Sequence, residues 1–308
     1  MAQDGNDGYS LREIKQAGHR KRPTPADFGL DVSICIAAKS LISDTIVSVS
    51  DRMLSFDDAA PAIENAVLKD TVVSPHWRTL FAGDDVSPAH FVIDRAKTQL
   101  ATTGETEAEV RTAIFNALQD ETHAHSTAKY LARLGIDLPY FRANGFQEFG
   151  PEQFGKIFKA IQDFSLNLEF LVYGFEPNGG PRGSHIFSLL DSGVISHDLE
   201  GRGIIGSGVY LAAGAIAGRT LWELPTEEVV YRLCAAKFSA QTARGVGKET
   251  TVLVLQSDGQ QFFWLHQDVE KLRAIWEKEE RDAPVPSSAV QLGEEVIRRR
   301  RKASRLPG

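Results

Sequence analysis

Five short stretches of this sequence carry residue types that could do chemistry from the ends of regular elements. They are Ser33 in Ser33-Ile34-Cys35-Ile36-Ala37-Ala38, Asp51 in Ser50-Asp51-Arg52, Lys69 in Leu68-Lys69-Asp70, Gly83 in Phe81-Ala82-Gly83-Asp84, and Ser207 in Gly206-Ser207-Gly208. A serine hydroxyl is a poor nucleophile until its proton affinity is lowered. A lysine ammonium beside it would do that, and a carboxylate would fix the lysine in place and charge state. Each residue also has a plainer reading taken singly. Ser33 opens a strand, Asp51 and Arg52 form an ion pair at a strand-to-turn junction, and Lys69 is a solvated edge charge.

Other chemistries find less support. His76, His185, His197 and His266 are scattered without a neighbouring Ser-x-Asp pattern, so no His-based triad is indicated. His123 and His125 are two apart and do not share a helix face, and no cysteine or carboxylate spacing completes a metal site. Gly203, Gly206 and Gly208 suggest a phosphate loop only superficially, because the Gly-Lys-Ser/Thr ending is missing. Cys35 and Cys234 each sit in an apolar periodic segment and read as small core residues, not as a disulfide or redox pair.

Composition narrows the class of protein. With 308 residues and 42% hydrophobic content, the chain can bury one large core or two smaller ones. A net charge of −7 argues against a protein whose main business is gripping phosphate backbones, so no nucleic-acid partner is expected. The basic runs His19-Arg20-Lys21-Arg22 and Arg298-Arg299-Arg300-Arg301-Lys302 read as solvated tails. No apolar run approaches the roughly 20 residues of a bilayer span, and residues 1–30 hold no stretch like a signal peptide's. The expectation is a cytoplasmic protein with no membrane partner.

The elements that must position the five stretches follow from periodicity. Ser33–Ala38 and Thr45–Ser50 predict a β-hairpin that stops at Asp51, and two further strands run from Ala66 to Val73 and from Arg78 to Ala82. Ser87-Pro88 predicts the start of a helix to about Thr102, and Glu105–Leu134 a second helix ending at Gly135. Residues 137–150 read as a loop, after which Pro151 starts another helical segment whose stripe Phe154, Phe158, Ile161 and Phe164 belongs to core or subunit contact. Strands return at Leu168–Phe175, Ser184–Leu190 and Gly193–Ser196. Gly203–Gly208 opens a helix toward Trp222, Pro225–Glu228 caps another, and strands at Thr250–Leu255 and Gln261–Leu265 precede a last helix over about Asp268–Glu280. Pro284–Ser288 marks the end of the compact region. The division expected is an N-terminal extension or propeptide over 1–30, one α+β domain over 31–282 enlarged by helix about 122–150, and a basic tail over 283–308.

The order of these segments resembles the proteasome β-subunits, a branch of the N-terminal-nucleophile hydrolases, and is most similar to their bacterial ancestral-β-subunit relatives. The resemblance runs from about Asp31 to Gln256. It implies an αββα four-layer sandwich of two mainly antiparallel sheets, with Ser33 as nucleophile and its own α-amine, once freed by self-processing, as base. It implies that Asp51 and Lys69 match the family's aspartate and lysine, that Gly83 supplies an oxyanion N–H, and that Ser207 and Gly208 flank the nucleophile. Phe81, two residues before Gly83, would shape an apolar, shallow specificity pocket, with Gly208 also on the substrate side. The implied activity is peptide or amide hydrolysis without cofactor or metal, by a ring-like homo-oligomer served by an unfoldase partner.

Two departures from the family's pattern stand out. Thirty-two residues precede Ser33, the last of them Val32, and an intact Val32–Ser33 bond leaves an amide nitrogen that cannot act as base. Gln241–Gly247 offers no clear match to the aspartate and serine that many proteasome subunits carry before the late strand. A catalytically inactive ring or scaffold subunit and a small-molecule amidase are the alternative expectations.

Overall fold

The computed structural model describes residues 33–53, 63, 67–83, 85–177, 183–243 and 246–279. The expected N-terminal extension, the basic C-terminal tail and the Val32 side of the Val32–Ser33 junction lie outside the described residues.

Strands β1 (Cys35–Ser40) and β2 (Thr45–Asp51) form the predicted hairpin, with Cys35 opposite Ser50 and Ser40 opposite Thr45. Every residue of both strands, the polar Lys39, Ser48, Ser50 and Asp51 included, is buried, which explains the run of apolar and small residues over Cys35–Ala38 and Thr45–Val49. β9 (Thr250–Gln256) pairs with the far side of β2, β10 (Gln261–Phe263) with β9, and β8 (Arg202–Ile205) with the far side of β1. The first sheet therefore has the order β10-β9-β2-β1-β8. The second has the order β3-β4-β5-β6-β7, built from Asp70–Ser74, Trp77–Gly83, Leu168–Phe175, Ser184–Leu190 and Gly193–Ser196. Every described pairing is antiparallel.

Three apolar cores account for the stacking. Cys35, Ala37, Ile46, Leu80, Leu171 and Ile186 meet between the two sheets. The outer face of the first sheet, through Ile36, Val47 and Val254, packs on α4 (Val209–Ile216), α5 (Thr226–Ala240) and α6 (His266–Glu279). The outer face of the second sheet, through Phe81, Phe170 and Phe187, packs on α1 (Ser87–Thr103) and α2 (Glu107–Tyr130). Period-2 side-chain alternation thus sends neighbouring residues of one strand into two different cores.

A polar clamp also joins the sheets. Asp70 accepts from Ser48 Oγ at 2.5 Å, Tyr173 hydroxyl at 2.6 Å and Arg78 Nε at 2.6 Å, all buried. Burial and the Asp70 charge both push the Tyr173 hydroxyl well above its ordinary pKa, so it stays a donor.

Three expectations need correction. Residues 138–149 are helical, because α3 runs over Leu138–Gln162 and its only break is a kink at Gly150 (φ 72°), just before Pro151. Asp137 caps it through a bond from Tyr140 N, so the chain re-enters helix at once after the left-handed Gly135. Ser87 is not the cap of α1; Val86 stands there without a side-chain cap, and Asp85 Oδ1 accepts from Ser87 N at 2.8 Å. Arg202–Ile205 is a strand and α4 starts only at Val209, so the glycine-rich stretch begins as β8 and only its end, with Gly208 as N-cap, opens the helix.

Candidate active site

Ser33 sits just ahead of β1, where the pairing of that strand with both neighbours converges. On one side the hairpin is extended by Asp51 N donating to Ile34 O at 3.1 Å. On the other, β1 pairs with β8 at Cys35 and Ile205, so the chain that follows β8 turns directly past Ser33. Gly208 N donates to Ser33 O at 3.3 Å, Ser207 Oγ donates to the same oxygen at 3.3 Å, and Ser33 N lies 3.4 Å from Ser207 Oγ. Gly206 makes this approach feasible. Its φ is 92°, and a Cβ there would lie 2.4 Å from Ser33 O, so both the conformation and the space require glycine.

Lys69 comes from the other sheet, immediately before β3, and reaches across to the same point. Its ammonium donates to Ser33 Oγ at 2.5 Å and to Asp51 Oδ1 at 2.7 Å. Lys69 and Asp51 are both 0% exposed, and Ser33 is 1% exposed. A buried carboxylate needs more than one donor, and Asp51 has them. Ile34 N donates to Oδ1 at 3.1 Å, while Gly247 N and Met53 N donate to Oδ2 at 3.1 and 3.4 Å. The carboxylate is fixed by backbone and in turn fixes the lysine against the serine hydroxyl.

Gly83 ends β4 in register with Leu168, and a Cβ on it would lie 2.4 Å from Asn167 O. The Cys35 thiol lies 3.5 Å from Phe81 O, so the start of β1 and the end of β4 face each other across the interior. Phe81 itself is fully buried on the helix side of its sheet, its ring edge-on to His90 of α1. Burial pushes the Cys35 thiol far up, Lys69 offsetting only part of the effect, so this cysteine stays a neutral thiol.

Ser33, Asp51, Lys69, Ser207 and Gly208 are thus joined by direct hydrogen bonds, while Gly83 and Phe81 are placed by strand register. Sequence reasoning missed two contributors. Glu169 Oε2 accepts from Gly206 N at 3.1 Å and so ties the glycine turn to β5; its signal was a single charge inside the apolar run Leu168–Phe175. Gly247 gives Asp51 a backbone N–H, which leaves no side-chain signature. The segment before β9 therefore does contribute to the site, although Gln241–Gly247 lacks the acidic and serine side chains sought there.

A cavity of about 560 Å³ lies at the opposite end of β1, lined by residues including Lys39, Leu41, His185, Asp198 and Trp222, well away from Ser33. Among the described residues no group of three His, Cys, Asp or Glu side chains is arranged to hold a metal, and His125 instead lies 3.2 Å from Glu121. None of the described helices is long and apolar enough to cross a membrane. No family model matches this sequence, and no match is found among curated proteins.

Proposed function

We propose that this protein is an N-terminal-nucleophile hydrolase of the proteasome-β-like kind, a four-layer αββα sandwich that cleaves peptide or other amide bonds with Ser33. The observation that carries the reading is the buried chain Asp51–Lys69–Ser33, with 2.7 Å from carboxylate to ammonium and 2.5 Å from ammonium to hydroxyl. A structural ion pair is satisfied without a serine hydroxyl as its third member. Here the hydroxyl is the end of the relay, beside a strand terminus and a glycine turn.

In this reading the Val32–Ser33 bond is broken first, and the freed α-amine of Ser33 is held by Ser207 Oγ. The amine takes the Oγ proton as Oγ attacks the substrate carbonyl. The Lys69 ammonium stabilises the oxygen as it gains charge, and the Gly83 N–H receives the carbonyl oxyanion. The amine then gives its proton to the leaving nitrogen, and water hydrolyses the Ser33 ester. In the same reading Phe81, fully buried beside α1, backs the apolar substrate side from beneath the surface. A peptide or protein substrate, a ring-like homo-oligomer, an unfoldase partner and a cytoplasmic location belong to the same reading.

Intact-mass measurement tests it. Purified protein is expected to lose residues 1–32 and to gain one adduct at Ser33 on treatment with a β-lactone, and Ser33→Ala is expected to abolish both the adduct and amide hydrolysis while keeping its circular dichroism. A chain that keeps residues 1–32 and never labels rejects catalysis and leaves an inactive scaffold subunit. Labelling with turnover of acyl-amide compounds but not of peptides assigns it as a small-molecule amidase.

A further inference from the structure

Lys237 is fully buried on the apolar face of α5, among core residues that include Leu233, Cys234 and Phe238. An ammonium in such a place is costly unless its donors are met. They are met by the carbonyl oxygens of three consecutive residues: Gly247 at 2.8 Å, Lys248 at 2.8 Å and Glu249 at 3.0 Å. Three successive carbonyl dipoles pointing at one spot repel each other without a cation there, so the backbone at 247–249 takes this course because the charge is present.

The same segment reaches the site. Gly247 turns its carbonyl to Lys237 and its N–H to Asp51 Oδ2, at 3.1 Å. From Asp51 the relay passes through Lys69 to Ser33 Oγ. A second cation braces the outside, with Arg273 Nη2 and Gln241 Nε2 donating to Lys248 O at 2.7 and 2.9 Å.

We infer that Lys237 is a positioning residue: an internal cation carried by α5, around which residues 247–249 fold so that the Gly247 N–H holds the carboxylate of the Asp51–Lys69–Ser33 relay. Its kinetic consequence rests on Ser33 being the nucleophile, whereas its structural consequence does not.

The test uses the full chain and two variants, Lys237→Met and Lys237→Gln, the second keeping a neutral donor in case the first fails to fold. Hydrogen exchange at the Gly247 amide is measured together with acylation of Ser33 by a β-lactone, resolved into KI and the maximal rate. Both are repeated in ammonium, potassium and choline chloride. Expected is loss of Gly247 protection with the rest of β9 retained, and a fall of about tenfold or more in the maximal acylation rate with KI within about twofold. Ammonium and potassium, small enough to occupy the vacated carbonyl cradle, restore part of both losses; choline does not. Unchanged Gly247 protection overturns the inference, as does a loss that no cation restores, or failure of both variants to fold in ammonium. A wild-type chain that is never acylated removes the reading of Ser33, and the exchange measurement then decides Lys237 alone.

Discussion

Lys69 and Asp51 are each 0% exposed and 2.7 Å apart, so neither charge has water to fall back on. Removing one partner strands the other in the interior. Lys69→Met is therefore expected to destabilise the fold by about 3–5 kcal/mol, whereas the double variant Asp51→Asn with Lys69→Met loses less than the sum of the single changes. Urea denaturation of the three variants measures this, and strict additivity would show that the pair is not coupled. The same interdependence gives the site its chemistry. Because Asp51 is held by the N–H groups of Ile34, Gly247 and Met53, the lysine has little freedom to point anywhere but at Ser33.

Strand β1 links two polar clusters at its two ends. Ser33 precedes one end, and near the other Lys39 Nζ donates to Asp198 at 2.7 Å, where His185 Nδ1 lies 2.8 Å from the carboxylate and Ile186 N donates at 3.0 Å. Burial alone would raise the Asp198 carboxyl. The bonds from His185, Lys39 and Ile186 outweigh it and hold the group well below the usual carboxylate range. A carboxyl depressed in the folded state contributes stability above its unfolded pKa and loses it as pH falls through the folded one. Asp198→Asn is accordingly expected to be less stable than wild type at neutral pH, with the gap closing below about pH 4. Thermal unfolding from pH 7 down to pH 2 follows it, and a gap that stays constant refutes the assignment. The effect is modest because the Asp198 side chain is 36% exposed.

For the whole molecule, stability is distributed unevenly. β1, β2 and β4 are buried on both faces and the sheets are clamped through Asp70, whereas α3 buries only Leu138, Phe141 and Gly145. Its aromatic row, with Phe141 stacked on Phe154 and Phe154 on Phe158, forms a separate cluster away from the three main cores. Native-state hydrogen exchange is therefore expected to show α3 opening at lower free energy than β1, β2 and β9, as a unit of its own. Uniform protection across α3 and the sheets would mean that this helical excursion is part of the central cooperative unit.

Ser33, Ser207 and Gly208 were picked out by the resemblance in segment order and motif, with no periodic signal of their own, whereas Asp51 was legible as the point where a periodic strand stops, and termination is a local property of the chain. The strands of both sheets were legible for the same reason, except β8, whose four residues adjoin glycines that read equally well as a helix entry. The helix over 138–149 was hidden by Asn144 and Gly145, poor helix formers that packing of Phe141 against Phe154 overrides, and by Gly150, which does break the helix at its kink. The sequence by itself determined which residues end the strands and which faces are apolar, since these depend on neighbours one to four positions away. Only the tertiary structure decided that Lys69 from one sheet meets Asp51 and Ser33 from the other, and that Gly247 and Lys237 support them. Those contacts close over separations from 10 to 196 residues and, at Gly247, run through backbone atoms common to every residue type but proline.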